Sequence, residues 1–183
     1  MPLHHRLLTC VLAALTGAVA LLCAATPGLA SPGPSGPEHS IATREPLLWA
    51  TVNVCDTVGH PDGIGIRGSM PGTGDRGDEL FMRLQVQYLR RSDATWNGMG
   101  RGADSGFLDL GNGAAKVRQA GRTFTLNPPA AGRPAFLLRG LVTFEWRHDG
   151  AVVRRARRAT TAGHDDAIGA DPDGFSSAAC SIR

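Results

Sequence analysis

The chain is predicted to fold as an all-β domain, an antiparallel β-sandwich of immunoglobulin-like architecture with about seven to nine strands and one closing disulfide. Three observations carry that expectation. Apolar and polar residues alternate in short runs separated by turn residues, and no stretch shows a helical period. The clearest run places Leu80, Met82, Leu84, Val86 and Tyr88 on one face and Arg83, Gln85 and Gln87 on the other. Two cysteines, Cys55 and Cys180, stand near the two ends of the expected domain.

The domain is expected to begin at Leu47. Leu48, Ala50, Val52 and Val54 alternate with Trp49, Thr51 and Asn53 as a first strand. Pro61-Asp62-Gly63 reads as a turn, and Ile64, Ile66 and Met70 as a short second strand ended by Pro71-Gly72. The Leu80–Tyr88 strand follows a polar, glycine-rich stretch. Residues 91–106 read as a long loop, and Phe107–Leu110 as a short strand before Gly111-Asn112-Gly113. Ala115–Gln119 and Thr123–Leu126 read as a hairpin turning at Ala120-Gly121. Phe136–Trp146 is the second strong strand, with Gly140 at an expected bulge. His148-Asp149-Gly150 signals a tight hairpin, since Asp-Gly tolerates the positive φ such turns need. Ala151–Thr161 returns as an edge strand carrying Arg154, Arg155, Arg157 and Arg158, and Ala178–Ile182 closes the domain.

The N-terminus predicts export by a Sec-type route. A basic start ending at Arg6 precedes an apolar run from Leu7 to Ala25, and Gly28-Leu29-Ala30 suits signal peptidase, so cleavage is expected after Ala30. The run is also long enough for a retained anchor. Cys23 raises a lipoprotein reading, which the bulky Leu22 before it disfavours. After cleavage, residues 31–46 form a Pro/Gly-rich flexible leader and residues 47–183 a single domain, secreted and without stable membrane insertion. Removal of the signal discards Cys10 and Cys23. The two remaining cysteines allow one pairing, Cys55 with Cys180, in an oxidising compartment.

The formal charge of the whole chain is +3, and the signal carries one of its arginines. A domain so near neutrality is not expected to take nucleic acid as its partner. Gly63–Gly68 and Gly72–Gly77 both match Gly-x-Gly-x-x-Gly, but no helix pattern follows either, so they read as turns and no cofactor is expected. Asp165, Asp166, Asp171 and Asp173 supply oxygen ligands that calcium prefers, yet lack the register of a calcium loop, so they read as a solvated turn ahead of the last strand and no metal is expected. His60, His148 and His164 read as turn residues, and no nucleophile elbow or zinc-protease helix occurs. The arginine run at 154–158 reads as a solvated face or an anion site.

Loop 91–106 is the expected recognition surface, because connections this long are commonly functional. Trp96, Asn97 and Arg101 are its candidate contact residues. Trp96 either anchors a partner or sugar ring, or tucks into the core. The reading that results is an exported, non-catalytic binding module for a protein or glycan partner. A secreted protease inhibitor and a small hydrolase with a site built from loops stand as alternatives.

Three segments, Trp49–Thr57, Ile64–Gly72 and Gly169–Cys180, are together similar to small secreted proteins of high-GC Gram-positive, actinobacterial-type bacteria. The resemblance covers most of residues 47–183. It implies secretion, a single domain and the Cys55–Cys180 pair, and brings no catalytic residues with it.

Overall fold

The computed structural model describes residues 45–183. The expected signal peptide (1–30) and all but the last two residues of the expected leader (31–46) lie outside the described residues. A short 3-10 turn, Glu45–Leu47, leads into nine strands: β1 (Trp49–Thr57), β2 (His60–Pro71), β3 (Asp78–Arg90), β4 (Thr95–Gly98), β5 (Asp104–Asn112), β6 (Val117–Thr125), β7 (Phe136–His148), β8 (Ala151–Ala159) and β9 (Cys180–Ile182). The all-β class and the antiparallel pairing are therefore as expected.

The smaller sheet has the order β1-β2-β6. The larger is built on β3 and β7, which pair from Asp78↔His148 to Tyr88↔Leu138 without a break. On the far edge of β3, β5 occupies the half near Glu79 and β4 the half near Arg90. On the far edge of β7, β8 and β9 divide the length in the same way. The larger sheet curls into a half-barrel, which sets it apart from the flat facing sheets of the expected immunoglobulin-like sandwich.

One apolar cluster joins the two sheets. Val52, Ile64, Ile66 and Met70 of the smaller meet Leu84, Val142, Phe144 and Trp146 of the larger, all fully or almost fully buried. The alternation that marked β3 is the observed burial pattern from Leu80 to Val86. Trp146 fills the largest buried volume and donates its Nε1–H to the Pro71 carbonyl at 2.9 Å, tying β7 to the end of β2.

Three local expectations are corrected. The β1–β2 hairpin turns at Val58-Gly59, with Thr57 opposite His60, so Pro61-Asp62-Gly63 lies within β2 and Asp62 takes a φ of 54° there. Residues 117–125 form one strand along β2, not a hairpin. A Cβ on Gly121 would stand 2.8 Å from Arg67 Nε, so this glycine makes room for the Arg67 side chain. Gly140 sits in unbroken register with β3; a Cβ there would stand 2.6 Å from Thr160 Cγ2 and 2.8 Å from Ile66 Cγ2, so it permits close approach of the sheets and is not a bulge. The Asp149-Gly150 turn is as expected, with both residues at positive φ.

Residues 160–179 form a strap along β1, not a bare polar turn. Val52 and Ser177 exchange backbone hydrogen bonds at 2.9 and 3.0 Å, and the Asn53 and Ala50 carbonyls accept from Asp171 and Thr161. The side chains on the second face of β1 hold the strap. Trp49 stacks on His164 at 4.4 Å between ring centroids. Asn53 Nδ2 donates to the Gly169 carbonyl at 2.7 Å, and Thr51 Oγ1 bonds Ser176 Oγ at 2.8 Å. Trp49, Thr51 and Asn53 are therefore buried like the row they alternate with, and an edge that would otherwise invite pairing is covered. Cys55 on β1 and Cys180 on β9 form the expected disulfide, with Cα atoms 5.4 Å apart, so the bond staples the two sheets beside the strap.

Glu145 on β7 is 1% exposed and is held from two sides. Arg147 NH2 donates to it at 2.7 Å and Arg155 Nε at 2.8 Å, while Arg147 also covers the Phe81 ring. Burial pushes the Glu145 carboxyl up, but the two guanidiniums outweigh it and hold the group below its ordinary range. A depressed folded value means that the stabilisation is present above the unfolded value of about 4.3 and is lost as pH falls through the folded one. Glu145→Gln is expected to lower stability by roughly 1–2 kcal/mol at neutral pH. The gap from wild type should narrow in denaturant titrations below about pH 4; a gap independent of pH contradicts this assignment.

Candidate functional site: a trough at the open end of the larger sheet

The inner row of β3 is buried as far as Val86 and becomes partly exposed at Tyr88. Opposite it on β7, burial ends between Leu138 and Phe136. The strand period thus carries apolar side chains beyond the covered core. Met99, just past β4, packs beside this end, with its backbone N–H donating to Val86 at 3.1 Å.

Three cavities adjoin here. One of 480 Å³ is lined by Tyr88, Phe136 and Leu137 with Arg90, Arg91 and Arg133. A second of 420 Å³ is lined by Tyr88, Gly98, Met99 and Phe136. The third, of 360 Å³, opens where β4 and β5 part on the edge of β3, and has Gly98, Met99, Arg101 and Asp104 in its walls. Shared lining residues make them one trough. Asp104 is committed within the fold, since it accepts from Arg83 Nε at 2.9 Å and from Gln85 Nε2 at 3.0 Å. The Arg83 hydrogen bond is the main cause holding its carboxyl below the ordinary range, against burial.

The expected recognition loop borders this trough, but it is mostly ordered structure. Residues 95–98 are β4, and a 3-10 turn at Arg101–Ala103 leads into β5. Because β4 alternates, its candidate residues part. Asn97, opposite Tyr88, accepts from Arg90 NH2 at 2.8 Å. Trp96, opposite Leu89, lies half-buried under Arg139, whose guanidinium carbon is 4.3 Å from the ring centroid. Arg139 Nε also donates to Gln87 at 2.9 Å, and burial lowers its pKa. Trp96 is thus neither a core residue nor a free anchor: it supports an arginine on the opposite face. Arg101 is exposed on the trough wall.

The remaining candidates fall elsewhere. Asp171 accepts from Thr57 Oγ1 and faces His60 Nδ1 at 3.2 Å; these two, the hydroxyl foremost, hold its carboxyl below the usual range. Asp165 and Asp166 lie on the strap near His164, and Asp173 follows the Asp171-Pro172 step, so the structure gathers no calcium-like cage from the four. His60, His148 and His164 lie apart, on the β1–β2 hairpin, at the end of β7 and on the strap. Arg154 covers Trp146 at 4.4 Å and Arg155 binds Glu145, so these two of the four arginines serve the sheet.

Asp75, Asp78 and His148 bring their ligand atoms within 4.8 Å of one another, a grouping that the sequence reading missed because it spans two turns. His148 Nδ1 is 2.8 Å from Asp78 Oδ1, and that hydrogen bond is the main cause raising the imidazole pKa. Sequence reasoning also missed Tyr88, Met99, Phe136 and Arg133; periodicity assigned the Tyr88 and Phe136 rows to core, and only the strand ends reveal that the core stops short of them.

No protein-family model matches this chain, and no curated protein matches it. Among solved structures, the Pseudomonas fluorescens alkylpurine DNA glycosylase AlkC, bound to DNA containing an abasic site analog, aligns over 61% of this chain and 28% of its own, at 12% identity and a TM-score of 0.29. A likeness at that level carries no argument about fold or function.

Proposed function

We propose that the protein is an exported, non-catalytic binding module that uses a sandwich-like β-scaffold to present the trough at Tyr88, Met99 and Phe136 to a protein or glycan partner. The observation that carries this reading is the continuity of the three cavities over apolar side chains that the core leaves uncovered. Binding is favoured over hydrolysis by the walls themselves: they contain no histidine, and their one carboxylate, Asp104, is tied to Arg83. Export is supported by the N-terminal apolar run and by the Cys55–Cys180 bond, which suits an oxidising compartment. Among the described residues no helix is long and apolar enough to cross a membrane.

The test is capture of partners from the envelope and culture fluid of the producing organism. Met99→Glu puts a carboxylate in the middle of the trough; Val153→Glu changes an exposed apolar residue on β8 and serves as control. Both variants should keep the wild-type melting profile to within a few degrees. A partner held by wild type and by Val153→Glu, and lost by Met99→Glu, is the expected result. Equal capture by all three contradicts the reading.

A further inference from the structure

We infer that the occupant of the trough is an extended acidic peptide segment bearing apolar side chains, supplied by a protein partner. This rests on the trough being the binding face.

The rim of the trough is basic. Arg90, Arg91 and Arg133 line the largest cavity and Arg101 lines the smallest, whereas no Asp or Glu lines either of the two larger ones. Arg90 has Asp93 beside it at 3.3 Å, and Arg91 reaches only a backbone carbonyl, that of Ala135 at 3.2 Å. Arg101 and Arg133 are exposed, and among the described residues no carboxylate pairs with them. With Asp93 set against Arg90 alone, Arg91, Arg101 and Arg133 give this end of the sheet a positive rim. Such a rim favours carboxylates, which arginine grips in a fork, and speeds their arrival.

The floor decides between peptide and glycan. Tyr88, Phe136, Leu137 and Met99 offer wells for apolar side chains. A sugar would need acceptors as well as donors for its hydroxyls, and the two larger cavities have no amide or carboxylate side chain in their walls. Geometry adds a third reason. The β4 strand pairs with β3 alone, so its other edge is open beside Gly98 and Met99, where an extended peptide can add as a strand and send alternate side chains into the wells.

The experiment selects a random peptide display library against the immobilised protein, then measures enriched peptides by fluorescence anisotropy. The expected result is enrichment of sequences that combine Asp or Glu with Leu, Phe or similar residues. Their affinity should fall tenfold or more in the doubly substituted Arg91→Glu, Arg133→Glu protein and weaken with added salt. Both sites are exposed, so the fold should survive the change. Enrichment of basic sequences, no enrichment, or affinity indifferent to the double substitution overturns the proposal. Oligogalacturonate is assayed in parallel. If it binds and Met99→Glu abolishes that binding, the trough stands as the binding face and the peptide proposal falls. If envelope capture is itself indifferent to Met99→Glu, the trough reading falls first.

Discussion

Replacing Cys55 with serine should cost the fold about 5 kcal/mol, the chain-entropy value for a loop this long, and lower the melting midpoint by on the order of 10–15 °C. The bond spans 125 residues, nearly the whole described chain, so its loss frees an unusually large unfolded ensemble. It also joins β1 of one sheet to β9, a three-residue strand held by only three register pairs with β7. Without the staple, β9 is held by those pairs and the buried Ile182 alone, and the strap loses its C-terminal tether. The single variant should therefore show faster amide exchange at Asp171 and Ser177, the strap groups bonded to Asn53 and Val52, than at the β3–β7 pairing. Cys180 should titrate as a free thiol, and Cys55→Ser with Cys180→Ser should be no less stable than the single change. An unchanged midpoint contradicts the structural role of the bond.

Trp146→Ala is expected to destabilise by roughly 4–5 kcal/mol, close to the upper end for truncation of a buried aromatic residue. The side chain is 1% exposed in the middle of the shared core, and truncation leaves a void between β7 and β2. It also orphans the Pro71 carbonyl, which accepts the indole N–H at 2.9 Å, and removes the platform on which Arg154 rests. Trp146→Phe separates the two contributions. It keeps most of the packing and loses the hydrogen bond, and should cost about 1–2 kcal/mol. Chemical denaturation measures both; a loss below about 2 kcal/mol for the alanine variant would mean that the sheets are held together elsewhere.

Much of the fold was legible because burial in β3 follows a period of two, cleanly from Leu80 to Val86, and the first half of β7 follows it too; from Val142 to Trp146 both faces of β7 are buried. The disulfide was legible from counting. What escaped has a physical cause in each case. The strap was hidden because its bonds are mostly between backbone groups and small polar side chains such as Thr51, Asn53 and Ser176, which leave no periodic trace. Gly121 and Gly140 looked like a turn and a bulge, since sequence cannot distinguish a glycine that bends a chain from one that makes room for Arg67 or Ile66. In the candidate site, loop 91–106 borders the trough, and Arg101 lies in its wall. Its central residue, Trp96, stands on the other face of β4, because alternation within a strand too short to recognise from sequence sends it there. The arginine rim was invisible because Arg90, Arg91 and Arg133 converge from the end of β3 and the turn before β7.

The proposal places partner binding at the uncovered end of the larger sheet. Quantified capture by wild type, Met99→Glu and Val153→Glu side by side tests it most directly. The expected result is partner retention by wild type and Val153→Glu and its loss, with unchanged melting, in Met99→Glu. A folded Met99→Glu protein that captures the same partner as strongly as wild type would contradict it.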